Sequence, residues 1–204
     1  MSITITPLDP ALVLPAGALL ARALAPAFEA EFPDPEERLT VCTLLYTANT
    51  RWSLDRGTVH AACLADGTLA GVLSLIPKPE PVWTDDLDAI YGYDLLSQWN
   101  DKLSAFDELE ELAKAPLDAQ TTPWTYINVL GVDPPLQGHG IGTALMQHAL
   151  AAADRASQAM GLITDTVRNV AFYTRLGFAT VHTPPATDSL RLWTMIRPAQ
   201  SAPH

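Results

Sequence analysis

The chain has 204 residues, 48% of them hydrophobic, and a formal net charge of −11 at pH 7. This length is typical of one globular domain with a substantial core. The acidic balance argues against nucleic acid as a partner, because phosphate backbones are bound by basic patches and the sequence has none.

Neither export, a membrane span nor a metal site is expected. The N-terminus lacks the positive charge of a signal peptide. The apolar run at 11–21 contains Pro15 and is shorter than the roughly 20 residues that cross a bilayer. Cys42 and Cys63 have neither metal nor redox spacing, which favours a reducing compartment. We therefore expect a cytoplasmic protein.

In chain order, the first half predicts a strand, two helices and a strand hairpin. The expected bounds are 3–6 for the first strand, about 16–29 and 35–50 for the helices, and Thr58–Leu64 with 68–77 for the hairpin. The hairpin strands flank Asp66-Gly67, a dipeptide typical of tight turns. Residues 69–76 are nearly all apolar, as expected of a central strand.

The segment 82–115 mixes aromatic side chains with carboxylates. Its aromatic residues are Trp83, Tyr91, Tyr93, Trp99 and Phe106. Helical periodicity is present at 94–99 and 103–112. One interpretation is an inserted binding surface for a cationic or heteroaromatic amine. The other is an amphipathic helical hairpin with a solvated acidic face.

The net negative charge lies in residues 1–120. Residues 1–120 contain 19 acidic and 7 basic side chains, whereas residues 121–204 contain 4 and 5. An acidic surface can simply keep a protein soluble. Alternatively, the acidic half faces a cationic ligand.

The most informative stretch predicts a strand, a glycine loop and a helix. Residues 126–132 are rich in β-branched and aromatic residues, and two prolines end this strand. Gly138, Gly140 and Gly142 then lead into a helix with Ile141, Leu145 and Ala149 on one face. Such a helix N-terminus binds anions, because its first N–H groups have no partners. No lysine follows the glycines as in a P-loop, and their spacing does not fit a Rossmann fingerprint.

Gln137-Gly-His-Gly-Ile-Gly142 resembles Q/R-x-x-G-x-G/A, the pyrophosphate loop of the GNAT acetyltransferases. Asn169-x-x-Phe-Tyr-x-x-x-Gly-Phe178 is similar to the second motif of that family, at a matching distance. The resemblance covers 123–197 and is closest to puromycin-acetyltransferase-like, small-molecule enzymes.

The resemblance implies a mixed α/β fold: a central, mostly antiparallel sheet of about seven strands with helices on both faces. Residues 1–197 would form a single domain, in which 1–120 shape the acceptor side and 121–197 bind acetyl-CoA, and 198–204 would be a disordered tail. The implied reaction is N-acetylation of a small, cationic amine by direct attack in a ternary complex. The alternative is a CoA-binding sensor without turnover. Monomer and homodimer stay open, since Trp193 and Met195 could line the acceptor site or an interface.

The resemblance also assigns cofactor-binding residues. They are Leu130, Gly131, Val132, Gln137, Gly138, His139, Gly140, Ile141, Gly142, Thr143, Asn169 and Tyr173. We expect a bulge at Gly131, because a glycine within a β-branched strand often marks a bulge or a close backbone approach; the alternative is a core glycine with no ligand contact. There the strand would splay from its neighbour, and the backbone of Leu130 and Val132 would pair with the pantetheine arm. One N–H there could serve as an oxyanion donor.

Two side chains of the second motif are candidates for a role in the site. Tyr173 occupies the family's position for the general acid, although its ring could simply pack beside Phe172. Asn169 could cap its helix or bond the pantetheine amide.

The general base is the least defined position. The drug-acetylating branch has a Glu where this chain has Ile163. Asp165, two residues on and expected on the same strand face, could substitute. Tyr126 and Asn128 could organise a water wire. His139 is expected to face solvent.

Overall fold

The computed structural model describes residues 2–79, 84, 86–120, 122–186 and 190–200. The strands are β1 (Ile3–Pro7), β2 (Thr58–Leu64), β3 (Leu69–Lys78), β4 (Trp124–Val132), β5 (Ala159–Thr164), β6 (Ala179–His182) and β7 (Trp193–Arg197). The helices are α1 (Val13–Leu24), α2 (Pro35–Arg56), α3 (Asp86–Tyr91), α4 (Asn100–Asp118), α5 (Ile141–Arg155) and α6 (Val167–Arg175). Short 3₁₀ segments cover Pro10–Leu12, Ala25–Phe28, Tyr93–Trp99 and Pro134–Leu136.

The described strands form one seven-stranded sheet in the order β1-β2-β3-β4-β5-β7-β6. Within it β4 and β5 run parallel, and the other neighbouring strands run antiparallel. The predicted mostly antiparallel sheet is confirmed. The hairpin is confirmed too: the backbone N–H of Gly67, at φ 86°, donates to Leu64.

Helices cover both faces of the sheet, as expected. Leu19 and Leu20 of α1 pack with Val72 on one face. Leu145 and Met146 of α5 pack with Leu73 on the other. Further residues of this second core come from β5, β7 and α6, including the fully buried Met195. Met195 therefore lines neither the acceptor site nor an exposed interface in this structure.

Two predicted helices are longer than expected. The second helix continues six residues past 50, and the periodicity at 103–112 belongs to the longer α4. The periodicity at 94–99 is a 3₁₀ segment, Tyr93–Trp99. Trp83 lies outside the described residues, as do 201–204 of the expected tail, whereas 198–200 have no regular secondary structure.

The N-terminal helical segment is longer than the apolar run suggested. Helical turns continue over 19 residues, Pro10–Phe28, which by length and composition could cross a membrane. Ala16, Leu19 and Leu20 of this stretch are nevertheless buried against the sheet. Core helices of folded domains are apolar for the same reason.

β4 contains one extra residue relative to β3. Ser74 lies opposite Val129 and Leu75 lies opposite Ile127, which leaves Asn128 as the residue of a bulge. A bulge interrupts the alternation of side chains between the two faces. Asn128 therefore contacts α2, and the next residue, Val129, packs on the α1 side as well.

The predicted bulge at Gly131 is wrong. Gly131 lies opposite Val72 in regular register. The glycine is needed for a different reason, the close approach of α1: a Cβ at this position would lie 2.5 Å from Cδ2 of Leu20. The bulge lies three residues earlier, at a position whose asparagine gave no such signal.

Candidate active site

The parallel strands β4 and β5 separate part of the way along their length. Trp124, Thr125 and Tyr126 lie opposite Ala159, Met160 and Gly161. Beyond that point β5 pairs with β7 alone, so β4 has a free edge. The expected splay is present, but it begins five residues before Gly131.

Two backbone positions on this free edge point into the gap. The N–H of Asp133 donates to the carbonyl of Ala70 on β3 at 3.0 Å. Backbone groups alternate in direction along a strand, so the N–H and C=O groups of Leu130 and Val132 point away from β3. These are the residues expected to pair with a pantetheine arm.

The glycine loop lies at the end of the gap. Gly138 and Gly140 have φ values of 80° and 83°, a region that favours glycine, and a Cβ at either would meet nothing within 4 Å. Gly140 is the N-cap residue of α5 and supplies no side chain to cap Ile141, Gly142 or Thr143. The first N–H groups of α5 are therefore available to an anion.

Two side chains of the loop bond to nearby backbone. Gln137 Nε2 donates to the carbonyl of Val132 at 3.1 Å, which attaches the loop to the free edge of β4. The Nδ1 atom of His139 lies 3.0 Å from the carbonyl oxygen of Gln137. His139 is exposed, as predicted.

Tyr173 comes from α6 on the far side of the gap. It is 8% exposed, and its ring packs edge-on against Phe172 and Phe178 at centroid distances of 5.0 and 5.8 Å. Within the described part of the chain its hydroxyl group has no hydrogen-bond partner. Burial, and then the charge of Asp165, raise the pKa of Tyr173 above its usual value, so the phenol keeps its proton at neutral pH.

Asp165 lies in the connection between β5 and α6, half-buried. We had expected Asp165 on the same strand face as Ile163. β5 ends at Thr164, so Asp165 lies outside the strand. Asn169 Nδ2 donates to Asp165 Oδ1 at 3.3 Å. Asn169 is not the helix cap either: Thr166 fills that position and accepts the N–H of Asn169 at 3.1 Å.

The side chain of the bulge residue, Asn128, makes polar contacts with α2. Asn128 Nδ2 donates to Asn49 Oδ1 at 3.1 Å and lies 3.2 Å from Ser53 Oγ. Asn49 also bonds the hydroxyl of Tyr93, which partly offsets the rise that burial causes in the pKa of Tyr93. The bulge residue thus connects the central strand to the segment after α3.

A second group of contacts involves α4. The hydroxyl of Tyr126 donates to Glu110 Oε1 at 3.4 Å. Burial, and then the charges of Cys42, Asp165 and Glu110, raise the pKa of Tyr46 well above its usual value. We call Tyr46, Asn49, Tyr93, Glu110, Tyr126 and Asn128 the acceptor cluster.

Three members of this cluster could not be singled out from the sequence: Tyr46, Asn49 and Glu110. Tyr46 and Asn49 stand at i and i+3 on α2, so helical spacing placed them on one face. In the segment 82–115, the cluster members Tyr93 and Glu110 are partly buried, while Glu108 and Glu111 are exposed.

Comparison with known proteins agrees with this geometry. Residues 19–178 match the model of the acetyltransferase (GNAT) family. The chain is similar to a histone acetyltransferase HPA2 and related acetyltransferase from Corynebacterium glutamicum, at 21% identity, with 100% of both chains covered and a TM-score of 0.70.

Two further solved structures share the fold. One is the polyamine N-acetyltransferase of Drosophila melanogaster, at 13% identity over 97% of this chain and 100% of that chain, with a TM-score of 0.62. The other is the ribosomal-protein-S18-alanine N-acetyltransferase of Escherichia coli, at 15% identity over 100% and 97%, with a TM-score of 0.57. At such identities the likeness is one of fold. Because the family model matches more than half of its length, the chain belongs to the acetyltransferase (GNAT) family of acyl-transferring enzymes.

Proposed function

We propose that the protein transfers an acetyl group from acetyl-CoA to the nitrogen of a small, cationic amine. The observation that carries the proposal is the closeness of the free strand edge, the glycine loop and α6. A Cβ on Gly142 would lie 3.6 Å from Val132 Cγ2 and 4.0 Å from Phe172 Cζ. Tyr173 follows Phe172 on α6, and the two rings pack edge-on at a centroid distance of 5.0 Å.

The residues at the gap fit the donor. Gly138 and Gly140 leave open space where a pyrophosphate would meet the N–H groups of Ile141, Gly142 and Thr143. The free edge at Leu130 and Val132 suits an extended arm that pairs like an added strand. Gln137 holds this edge and the loop together, and the Asn169 amide lies across the gap.

Acetyl-CoA, when bound, supplies a thioester carbonyl and a thiolate leaving group. A backbone N–H of Leu130 or Val132 would stabilise the developing oxyanion. Tyr173 would donate its proton to the departing sulfur, whose thiol form has a pKa of about 8.5. The high pKa of Tyr173 keeps that proton available at neutral pH.

Asp165 would take the proton from the attacking nitrogen. A primary amine has a pKa of about 10.4 and is mostly protonated at pH 7, so a base is required. Asp165 is half-buried, and its charge contributes to the raised pKa of Tyr173. Tyr126 and Asn128 lie on the acceptor side and are suited to order a water between the amine and this carboxylate.

Direct attack is favoured over an acetyl-cysteine intermediate. Burial raises the pKa of the Cys42 thiol to about 11, so it is not a thiolate at neutral pH. Cys63 lies on β2, which is separated from the gap by β3.

The test is acetyl-CoA turnover, followed by thiol release, with polyamines, aminoglycosides, aminonucleosides, amino acids and arylamines. We expect turnover of one amine class, reduced roughly 10²-fold in kcat by Tyr173→Phe. Tyr91→Phe is the matched control, because it also removes a phenol hydroxyl group. This hydroxyl donates to Asp55 Oδ2 at 2.5 Å, near the end of α2. Acetyl-CoA binding without turnover of any amine would favour a sensor, and absence of binding would reject the proposal.

A further inference from the structure

The side chain of Asn128 lies just beyond the point where β4 loses its partner. β5 pairs with β4 only as far as Tyr126, and Asn128 follows two residues later, as the bulge residue on the side of α2. The backbone of Leu130, which would contact the donor, is two residues further on, about 7 Å along an extended strand. The Asn128 side chain is therefore within reach of an amine that attacks a thioester held at this edge.

The amide nitrogen of Asn128 is held by two residues of α2. Nδ2 donates to Asn49 Oδ1 at 3.1 Å and to Ser53 Oγ at 3.2 Å. An amide nitrogen has two protons, so these bonds use both of them. Ser53 is fully buried, and Asn49 stands one helical turn before it, so both hydrogen-bond acceptors lie on one face of the same helix.

The direction of the Asn128 amide is set by the next bond in the network. Burial raises the pKa of Tyr93, and a hydrogen bond from Asn49 partly offsets that rise, so Asn49 is the donor in this pair. Donation by its nitrogen leaves the oxygen of Asn49 to face Asn128. A reversed amide at Asn128 would bring two carboxamide oxygens together, which is repulsive.

The carbonyl oxygen of Asn128 is left without a partner. Within the described chain Asn128 bonds only to α2, in both cases through Nδ2. The buried side-chain atoms without a partner in that part of the chain are His60 Nδ1 and Ser74 Oγ, so Asn128 Oδ1 is open to solvent. The network thus presents a fixed acceptor oxygen, of the kind that binds an N–H group.

Resting on the proposed function, we infer that Asn128 Oδ1 accepts a hydrogen bond from the reacting nitrogen, and that the acceptor is a primary amine. The nitrogen attacks the thioester carbon and the C–S bond breaks. One N–H proton passes through a water to Asp165, and the thiolate takes the proton of Tyr173. A primary amine keeps a second N–H during these steps, and this N–H stays bonded to Asn128. A neutral secondary amine has a single N–H, which cannot serve Asp165 and Asn128 at once.

The experiment compares hexylamine with N-methylhexylamine, and 1,4-diaminobutane with N,N′-dimethyl-1,4-diaminobutane, as acceptors for the full chain at saturating acetyl-CoA. The readout is the ratio of kcat/KM for the primary amine to that for the secondary amine of the faster pair. Asn128→Leu has no oxygen and should lower this ratio about tenfold, the size expected of a hydrogen bond to a charged group. Asn128→Asp should keep the ratio, because Asn49 can reverse its amide and donate to the carboxylate. Comparing the ratio between variants removes the steric effect of the methyl group.

Two further variants separate this role from a structural one. Asn49→Ala leaves Asn128 in place but removes an oxygen that fixes its amide, so the ratio should fall by a smaller factor, about threefold. Asn100→Leu makes the same side-chain change at an exposed position, the first residue of α4, and should keep the wild-type ratio. Acetyl-CoA affinity, measured by calorimetry, shows whether each variant is folded, and Asn49→Ala decides the question if Asn128→Leu is not.

Each outcome decides the inference. A preference for the primary amine that Asn128→Leu loses and Asn128→Asp keeps supports it. A ratio unchanged in Asn128→Leu, or lowered equally in Asn128→Asp, overturns it while leaving the proposed acetyl transfer intact. Absence of turnover with every amine, despite acetyl-CoA binding, overturns both.

Discussion

Leu20 of α1 lies against the backbone of Gly131, with its Cδ2 atom 2.5 Å from where a Cβ would be. Leu20 is fully buried, so it has little room to move. We expect Gly131→Ala to destabilise the fold by about 1–3 kcal/mol, the usual range for overpacking. Chemical denaturation of the variant measures this.

The double variant Leu20→Ala, Gly131→Ala gives a sharper result. Removing the leucine side chain makes room for the added methyl group, so the two effects should not add. If the loss in free energy of unfolding of the double variant equalled the sum of the losses of the two single variants, the two residues would not be coupled.

The glycine loop predicts a specific loss of cofactor affinity. Alanine at Gly138 or Gly140 disfavours the positive φ by about 1–2 kcal/mol, so an exposed loop relaxes to another conformation that acetyl-CoA binding must reverse. We expect acetyl-CoA to bind roughly tenfold more weakly in calorimetry. The control is Gly67→Ala, which has the same φ sign and open surroundings in the β2–β3 hairpin, and should leave affinity unchanged.

Asp165→Asn tests the assignment of the base. An amide cannot accept the proton, so kcat/KM at pH 7 should fall roughly 10²-fold. The loss should shrink as the pH rises toward the amine pKa of about 10.4, because an amine that is already neutral needs no base. Asp94→Asn, an exposed carboxylate outside the acceptor cluster, should keep the wild-type pH profile. A loss in Asp165→Asn that is constant with pH would contradict the assignment.

His60 predicts acid sensitivity of the fold. Burial, and then the ring of His148 at a centroid distance of 4.7 Å, lower the pKa of His60, and its Nδ1 atom is buried without a partner. The unfolded chain therefore binds this proton at about pH 6.5 and the folded protein only at lower pH. The free energy of unfolding is therefore fully retained above about pH 6.5 and falls as the pH drops below about 6.5.

The measurement is the Tm between pH 5 and pH 8. His60→Gln should flatten the fall of Tm below about pH 6.5, because the glutamine side chain does not titrate. His182→Gln serves as the control. If the plots of Tm against pH were parallel for wild type and His60→Gln, His60 would be excluded as the cause of the acid sensitivity.

Features determined by local chemistry could be predicted from the sequence. Asp66-Gly67 indicated a hairpin because a tight turn needs a residue at positive φ, and Gly177, at φ 90°, ends α6 for the same reason. Gly138 and Gly140 indicated a loop before α5, and both residues adopt positive φ. In each case the conformation depends on a few adjacent residues.

Features determined by packing between distant elements could not be predicted. Gly131 is a glycine because α1 crosses it, and nothing near it in the sequence indicates that contact. The bulge at Asn128 depends on the register against β3. Glu110 differs from its neighbour Glu111 because it faces Tyr126, and the acidic run itself does not distinguish them. Thr166, rather than Asn169, caps α6, although both residue types are good caps.

The bulge at Asn128 has a consequence for redesign. It divides one strand into two stretches with different proposed tasks: Tyr126 and Asn128 would direct their side chains to the amine, whereas Leu130 and Val132 would offer backbone groups to the donor. Substitutions in the first stretch should therefore change which amines are accepted without altering the choice among acyl donors. Libraries confined to 126 and 128 can explore new acceptors while the donor half of the enzyme keeps working.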